Sequence, residues 1–453
     1  MKKVDFLFVY EVKVREIENI CLLKYELEKR GYSVEFINTW YYQKKKIPKI
    51  DAVVVISFAL FDDDVYNYIC SFVHKFQKLI NLQWEQLGTN KSEEDTLSRF
   101  FIKGLSKEAV HLAWGEKTFN RLNSCGIDKK NIKITGHITM DFLNESFLPY
   151  YMSKEKLFDL YNIPLDKKIC LFISSFTLTN LSNIQNTKIN EAKENAKKAT
   201  LIDIDDFVLI STITQKNILN WITSILKERD DLVFIYRPHP AEYIPDENIS
   251  ILKNYKNFFV ISEHSVRQWI IACDVITTWY STSLAEVYFA KKNCYILRPN
   301  DIPTEMDLAL YKNAAFVTNY NSFKQIFDEK LDAFPADENL IKKYYAQDNN
   351  FNYIKICDVF EEVYKNDFYN APLPKDLLLG ISVSIRIKQI ILSTGLMRFF
   401  TILFKKYSKR LQNIYNLYYE IDEYTQQMQK KNYASEEEIN LIINKIKNCL
   451  VNK

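Results

Sequence analysis

Short apolar runs rich in Val, Ile, Leu and Phe recur along this chain, and most are separated by stretches with the periodicity of a helix. That alternation constrains the fold more than any other feature, because strands joined through helices lie parallel and need helices on both faces of the sheet. Val4–Tyr10 reads as a strand, Arg15–Arg30 as a helix ending at Gly31, and Ser33–Ile37 as the next strand, which makes one βαβ unit. Strands follow at Ala52–Ser57, Leu79–Leu82, Ala109–Leu112 and Ile132–Thr135, with helical stretches at Asp62–Lys75 and Gly115–Cys125. A polar connection near Tyr151–Lys156 opens a second set: Ile169–Ser174, helix Gln215–Lys227, Leu232–Tyr236, Phe258–Ile261, helix Ser265–Ala272, Val275–Thr278, helix Thr282–Ala290 and Cys294–Leu297. The pattern predicts an α/β protein of two Rossmann-like parallel-sheet domains, 1–150 and 151–351, and a helical tail over 372–453. A chain of 453 residues is too long for one core and suits that division.

Two segments carry most of the functional information. Arg237-Pro238-His239-Pro240 ends the run Leu232–Tyr236, and Asp274–Thr278 leads into Trp279-Tyr280-Ser281-Thr282-Ser283-Leu284-Ala285-Glu286. Each reads as a buried strand entering a loop or helix start, and ligands of open parallel sheets bind at that edge. The chain has eight glycines, none between His137 and Leu379, so neither a dinucleotide fingerprint nor a Walker loop can be written there. A phosphate would instead meet free N–H groups at a helix start, with Ser281, Thr282 and Ser283 hydroxyls beside them. His239 and Arg237 would supply positive or donor groups, and Glu286 a carboxylate for ribose hydroxyls. The same residues have ordinary uses: serines and threonines cap helices, first-turn glutamates suit the helix dipole, and Arg237 can pair locally.

A histidine-proline motif on one strand and a Ser/Thr group opening the helix after the next Asp-led strand resemble the nucleotide-binding half of GT-B glycosyltransferases. Similar motifs occur in bacterial sialyl- and polysialyltransferases and in teichoic-acid glycerophosphotransferases. Gln83-Trp84-Glu85-Gln86, Trp114-Gly115-Glu116 and Thr135-Gly136-His137 extend the resemblance to bacterial surface-carbohydrate (capsule or lipooligosaccharide) biosynthesis proteins over roughly residues 1–367. Ser281-Thr282-Ser283 departs from the plain Ser-Ser or glycine-rich versions, which leaves open which hydroxyl meets phosphate. The resemblance implies a GT-B fold with two halves facing a cleft, and a last helix, 352–366, returning to the first half. It also implies a metal-independent transfer of a sugar from a nucleotide-sugar donor, CMP- or CDP-linked or else UDP-linked, to a hydroxyl of a surface glycan or lipid-linked acceptor. A glycerol- or ribitol-phosphate transferase, a sugar-nucleotide 2-epimerase and a non-catalytic assembly protein are the alternatives on the same fold.

Transfer to a hydroxyl needs a proton acceptor. Glu85, after the strand Leu79–Leu82, is the first choice and Glu11, ending the first strand, the second; His111 and His137 rank below them. His239 would donate to the leaving phosphates as charge grows there, and Trp84 would offer a sugar a stacking face. Asp62-Asp63-Asp64 invites a metal reading but better suits a helix start, and Asp203, Asp205 and Asp206 fall in a polar excursion over 180–206. No paired His/Cys spacing exists, so neither metal nor cofactor is expected. Sixty basic and 57 acidic residues give a net charge of +3, which does not suggest nucleic acid as a partner. Eight scattered cysteines read as reduced core packers, and the N-terminus shows no cleavable signal, which fits a cytoplasmic protein.

Beyond Pro372, apolar stretches from Leu377 to Phe404 are interrupted by Arg386, Lys388 and Arg398 and followed by Lys405, Lys406, Lys409 and Arg410. No run of about 20 apolar residues is available to span a bilayer. The tail reads either as interfacial helices on the inner face of the cytoplasmic membrane or as helices packed on protein. Ser435-Glu436-Glu437-Glu438 reads as a capping box opening a final short helix. The sugar, the linkage and the oligomeric state are not written in the sequence.

Overall fold

A computed structural model describes residues 2–43, 45, 47–177, 179, 204–240, 242, 247–328, 333–348, 350–372 and 426–451. The excursion at 180–203, with Asp203, and the apolar and basic tail from Leu377 to Arg410 lie outside the described residues. The chain divides into two compact units. The first comprises the described parts of Met1–Gln86, Ile102–Ile138 and Gln347–Lys453, the second those of Leu87–Phe101 and Thr139–Ala346.

Unit 1 holds one six-stranded sheet in the order β2-β1-β3-β4-β5-β6, every pair parallel. Its strands are β1 Lys2–Tyr10, β2 Val34–Asn38, β3 Ile50–Ser57, β4 Lys78–Asn81, β5 Val110–Ala113 and β6 Ile132–Ile134. Helices cover both faces, so the strands are apolar along most of their length instead of alternating. Phe6, Leu7, Phe8, Val9 and Tyr10 are all buried. The helix Asn352–Lys365 buries Tyr353, Ile356, Cys357, Phe360 and Val363, with the Phe360 ring 6.0 Å from both Phe6 and Phe8. The helix after β3 is Asp63–Cys70, shorter than the periodicity predicts, because the chain leaves it at Ser71 to reach β4.

Unit 2 holds a second parallel six-stranded sheet in the order β12-β11-β10-β7-β8-β9. Its strands are β7 Lys168–Ile173, β8 Leu232–Arg237, β9 Phe258–Val260, β10 Val275–Thr278, β11 Cys294–Leu297 and β12 Phe316–Val317. One helix, Ile204–Glu228, starts well before Gln215, so Asp205 and Asp206 are exposed first-turn acids where the dipole favours them, rather than loop residues. The sheet core gathers Phe172, Phe234, Tyr236, Trp279, Ile218 and Ile222. The fold class is therefore α/β with two Rossmann-like units, the pair from which a GT-B chain is built. The final helix runs Glu436–Val451, with the Ser435 hydroxyl accepting from the Glu438 N–H at 3.2 Å. Among the described residues no helix is long and apolar enough to cross a membrane.

Scarce glycine leaves a mark on the backbone. Gln83, Asn162, His264, Lys291 and Asn313 occupy positive φ, a region that costs most side chains energy. At Gln83 the Asn81 side chain compensates: its Oδ1 accepts from the Gln83 N–H at 3.1 Å and its Nδ2 donates to Gln83 Oε1 at 3.0 Å.

Candidate functional site

In unit 2 the strand order reverses between β7 and β10, since the chain steps outward through β8 and β9 and then returns to the other side of β7. The crevice beyond the carboxyl ends of such a pair is where open α/β sheets bind ligands. His239 follows β8 and Ser281–Ser283 follow β10, the two strands that flank β7. Both sequence motifs therefore arrive at one sheet edge.

The turn after β10 is built from its own hydroxyls. Ser281 Oγ accepts from the Ser283 N–H at 3.2 Å, and Ser281 O accepts from the Leu284 N–H at 3.3 Å, ahead of the short helix Leu284–Phe289. Ser281 is thus the capping side chain, Thr282 is exposed, and Ser283 makes no side-chain cap. The turn is anchored by Tyr311, whose hydroxyl accepts from the Ser281 N–H and donates to the Ser281 carbonyl, both at 3.0 Å. Behind it, Arg298 forms a buried bidentate pair with Asp307 at 2.8 and 3.1 Å and lies 5.6 Å from the Tyr311 ring.

Arg237 has a structural assignment. Its guanidinium is buried and donates to the Glu263 carbonyl at 2.8 Å and to the His264 carbonyl. Burial pulls its pKa down to about 10, against the opposing charges of Glu263 and Glu286. It braces the loop after β9, including the left-handed His264, and adds a positive charge near the edge. Glu286 lies 3.8 Å from the buried Arg267 guanidinium, so its carboxylate is engaged from within its own unit.

His239 itself is exposed, on a turn closed in both directions: its N–H donates to Glu242 Oε2 at 3.2 Å and its carbonyl accepts from the Glu242 N–H at 2.8 Å. Glu242 was not visible as a site residue in the sequence, although it stands three positions after the histidine. Tyr236 OH contacts Glu242 Oε1 at 2.5 Å, Ser174 Oγ contacts Oε2 at 2.7 Å, and the two hydroxyls are 2.7 Å apart. Burial pushes the Glu242 carboxyl above its ordinary range. Tyr311 and Ser174 were missed for a plainer reason, since each acts across dozens of residues.

Unit 1 collects carboxylates at its own carboxyl edge. Glu85 is partly exposed and ion-paired with Arg15, which also holds the buried Glu16 at 2.9 Å. Glu16 accepts from the N–H groups of Glu11 and Val12 at 3.0 and 3.1 Å, closing the start of the helix Lys13–Lys29. Glu11 follows β1, where this sheet's order reverses between β1 and β3. Burial first, and then the Glu16 charge, push it up to about 7.

Trp84 cannot serve as an open stacking face, being 6% exposed with its ring against His137. His111 is a core histidine: Nε2 donates to the Ser106 carbonyl at 2.8 Å, Nδ1 faces Asn81 Nδ2 at 3.1 Å, and burial pulls it down to about 4. His137 packs at 4.0 Å against Trp114. Asp62 caps the helix Asp63–Cys70 by accepting from the Val65 N–H at 3.0 Å, and Asp63 accepts from the Leu105 N–H, so both acids have structural partners.

No protein-family model and no curated protein sequence matches the chain. Among solved structures, it resembles an MnaA–UDP co-structure from S. aureus at 15% identity, covering 82% of this chain and 99% of the other with a TM-score of 0.48. It resembles UDP-GlcNAc 2-epimerase from Methanocaldococcus jannaschii in complex with UDP-GlcNAc and UDP at 14% identity, covering 80% and 100% with a TM-score of 0.48. It also resembles the wall teichoic acid polymerase TagF with CDPG at 15% identity, covering 80% and 88% with a TM-score of 0.47. Similarity at this level describes architecture, and the chemistry rests on this chain's own residues.

Proposed function

We propose that the chain is a glycosyltransferase that takes a sugar from a nucleotide-activated donor and passes it to a hydroxyl of a surface glycan or lipid-linked acceptor. The observation that carries this reading is the pairing of His239 and the Ser281–Ser283 turn at the carboxyl ends of the two strands flanking β7. Phosphate oxygens at that edge would accept from the His239 imidazole and from the hydroxyls of Ser281, Thr282 and Ser283, since the N–H groups of Ser281, Ser283 and Leu284 are already spent on Tyr311 and within the turn. Arg237 adds positive charge, and Glu286 is the carboxylate for ribose hydroxyls. In the transfer, the acceptor oxygen bonds to the anomeric carbon, the bond to the phosphate oxygen breaks, and its electron pair leaves with the nucleotide. The acceptor's proton passes to a carboxylate, Glu85 as first choice and Glu11 as second.

The test is thermal stabilisation by CMP, CDP, UDP and GDP, which requires no acceptor. Stabilisation by one nucleotide, lost in His239→Ala and Ser281→Ala, supports the reading; no stabilisation by any of them removes it. The same reading puts the protein in the cytoplasm, on the inner face of the membrane through residues 377–410. Deleting those residues while retaining 426–451 should release it from anionic liposomes, and unchanged co-sedimentation would refute the membrane role.

A further inference from the structure

The four oxygens of Glu242, Tyr236 and Ser174 pose a proton-counting problem. Their contacts are Tyr236 OH to Oε1 at 2.5 Å, Ser174 Oγ to Oε2 at 2.7 Å, and Ser174 Oγ to Tyr236 OH at 2.7 Å. Each O···O contact of that length needs a proton on its line. The two hydroxyls supply two. If Glu242 is ionised, both are spent on the carboxylate and the serine and tyrosine oxygens meet lone pair to lone pair. If Glu242 is the neutral acid, its Oε1 proton donates to Tyr236, Tyr236 donates to Ser174, and Ser174 donates to Oε2, which closes the ring.

The surroundings agree. Tyr236 and Ser174 are buried, and burial is the largest influence raising the Glu242 carboxyl. Among the described residues, it is faced by the hydroxyls of Ser174, just after β7, and Tyr236 of β8, and by the N–H groups of His239 and Phe176. Gln215, from the helix Ile204–Glu228, faces Tyr236. The nearby Arg237 guanidinium is turned to the Glu263 and His264 carbonyls.

We infer that Glu242 is a positioning residue carried as the neutral acid, closing a three-proton ring that fixes the His239 turn and keeps negative charge away from the phosphates of a bound nucleotide. This rests on the nucleotide reading of the same edge. The ring ties the ends of β7 and β8 together, and Oε2 holds the His239 N–H, so its opening would free the backbone that aims the imidazole. Deprotonation would also place a carboxylate beside a site for phosphate, where like charges repel.

Two measurements on the full chain test it. The first is infrared difference spectroscopy of wild type against Glu242→Gln at pH 7, which reads the carbonyl stretch of a protonated carboxyl directly and does not depend on any ligand. The second is the affinity for CMP, CDP and UDP as a function of pH in wild type, Glu242→Gln and Glu242→Ala. The acid band should be present. Glu242→Ala should weaken binding about tenfold or more, Glu242→Gln should recover most of that loss, and the wild-type decline at high pH should flatten in Glu242→Gln. His239 is retained in all three proteins, so its own titration cancels in the comparison. Absence of the band, or identical pH profiles in wild type and Glu242→Gln, overturns the inference. If no nucleotide binds wild type, the donor reading fails and the band alone decides whether the ring carries its proton.

Discussion

The Tyr311 hydroxyl holds Ser281 by both its backbone polar groups, accepting from the N–H and donating to the carbonyl at 3.0 Å each. Ser281 in turn caps the Ser283 N–H. The conformation of the proposed phosphate turn is therefore set by a side chain thirty positions away. Tyr311→Phe removes both bonds while keeping the ring against Arg298. The loss should be about 1–3 kcal/mol in urea unfolding, because a partly buried N–H and carbonyl are left unpaired. Stabilisation by the bound nucleotide should fall with it. Full nucleotide stabilisation in Tyr311→Phe would show that the turn keeps its shape without the hydroxyl.

The support behind Tyr311 is ionic. Arg298 is 3% exposed and its bidentate pairing with Asp307 leaves it no solvent to fall back on. Asp307→Ala should cost about 3–5 kcal/mol, since removing one partner strands a buried charge. Replacing both residues, as Arg298→Met with Asp307→Leu, should cost clearly less than the single change. Denaturant midpoints of the single and double variants check this, and a double variant as unstable as the single would refute the stranded-charge explanation.

Glu11 makes stability depend on pH with a definite sign. Its folded pKa is raised, to about 7, above the ordinary carboxylate value, so the native state binds more protons than the unfolded chain in that window. Stability is fully present at acid pH and falls as pH rises from about 4.5 to about 7. Glu16, pushed up by burial as well, adds in the same direction. Glu11→Gln should gain about 1–3 kcal/mol over wild type at pH 8 and almost nothing at about pH 3.5, below both pKa values. Unfolding measured across that range checks the slope, and a variant curve parallel to wild type would show that Glu11 titrates normally.

Most of the fold was legible because buried parallel strands are written as continuous apolar runs: β8 and β10 begin where Leu232 and Val275 begin them in the sequence. Boundaries failed where polar residues enter helices, as at Asp205 and Asp206, which composition alone assigns to a loop. The strand β12, two residues long, carries no periodicity to detect. At the candidate site, the arrival of His239 and Ser281 at one sheet edge was legible because proline and hydroxyl residues sit at strand ends. Trp84 misled because a tryptophan in a loop sequence gives no sign of whether its face is covered, and here His137 lies against it. Glu242, Tyr311 and Ser174 act through pairings that exist only once β7, β8 and β10 lie side by side.

Asn38 is a central polar anchor of the C-terminal segment at the carboxyl edge of unit 1. Asn38, buried at the end of β2, donates from Nδ2 to the carbonyls of Asn432, Glu11 and Tyr10 at 3.1, 3.3 and 3.4 Å, and its Oδ1 accepts from the Tyr41 N–H at 2.9 Å. Around it the Ala434 N–H donates to the Tyr10 hydroxyl at 3.1 Å, and Tyr433 stacks on Tyr41 with centroids 4.1 Å apart. The Lys13–Glu438 ion pair at 3.2 Å is partly exposed and worth little, about 0–1 kcal/mol. The docking therefore combines this polar pairing with the burial of Ala434, Ile442, Ile446 and Cys449, and owes little to charge. Asn38→Leu should lower stability by about 1–3 kcal/mol and expose residues 426–435 to limited proteolysis before the rest of unit 1 unfolds. Lys13→Met should leave the cleavage rate unchanged, and the opposite order of sensitivity would assign the anchor to the ion pair instead.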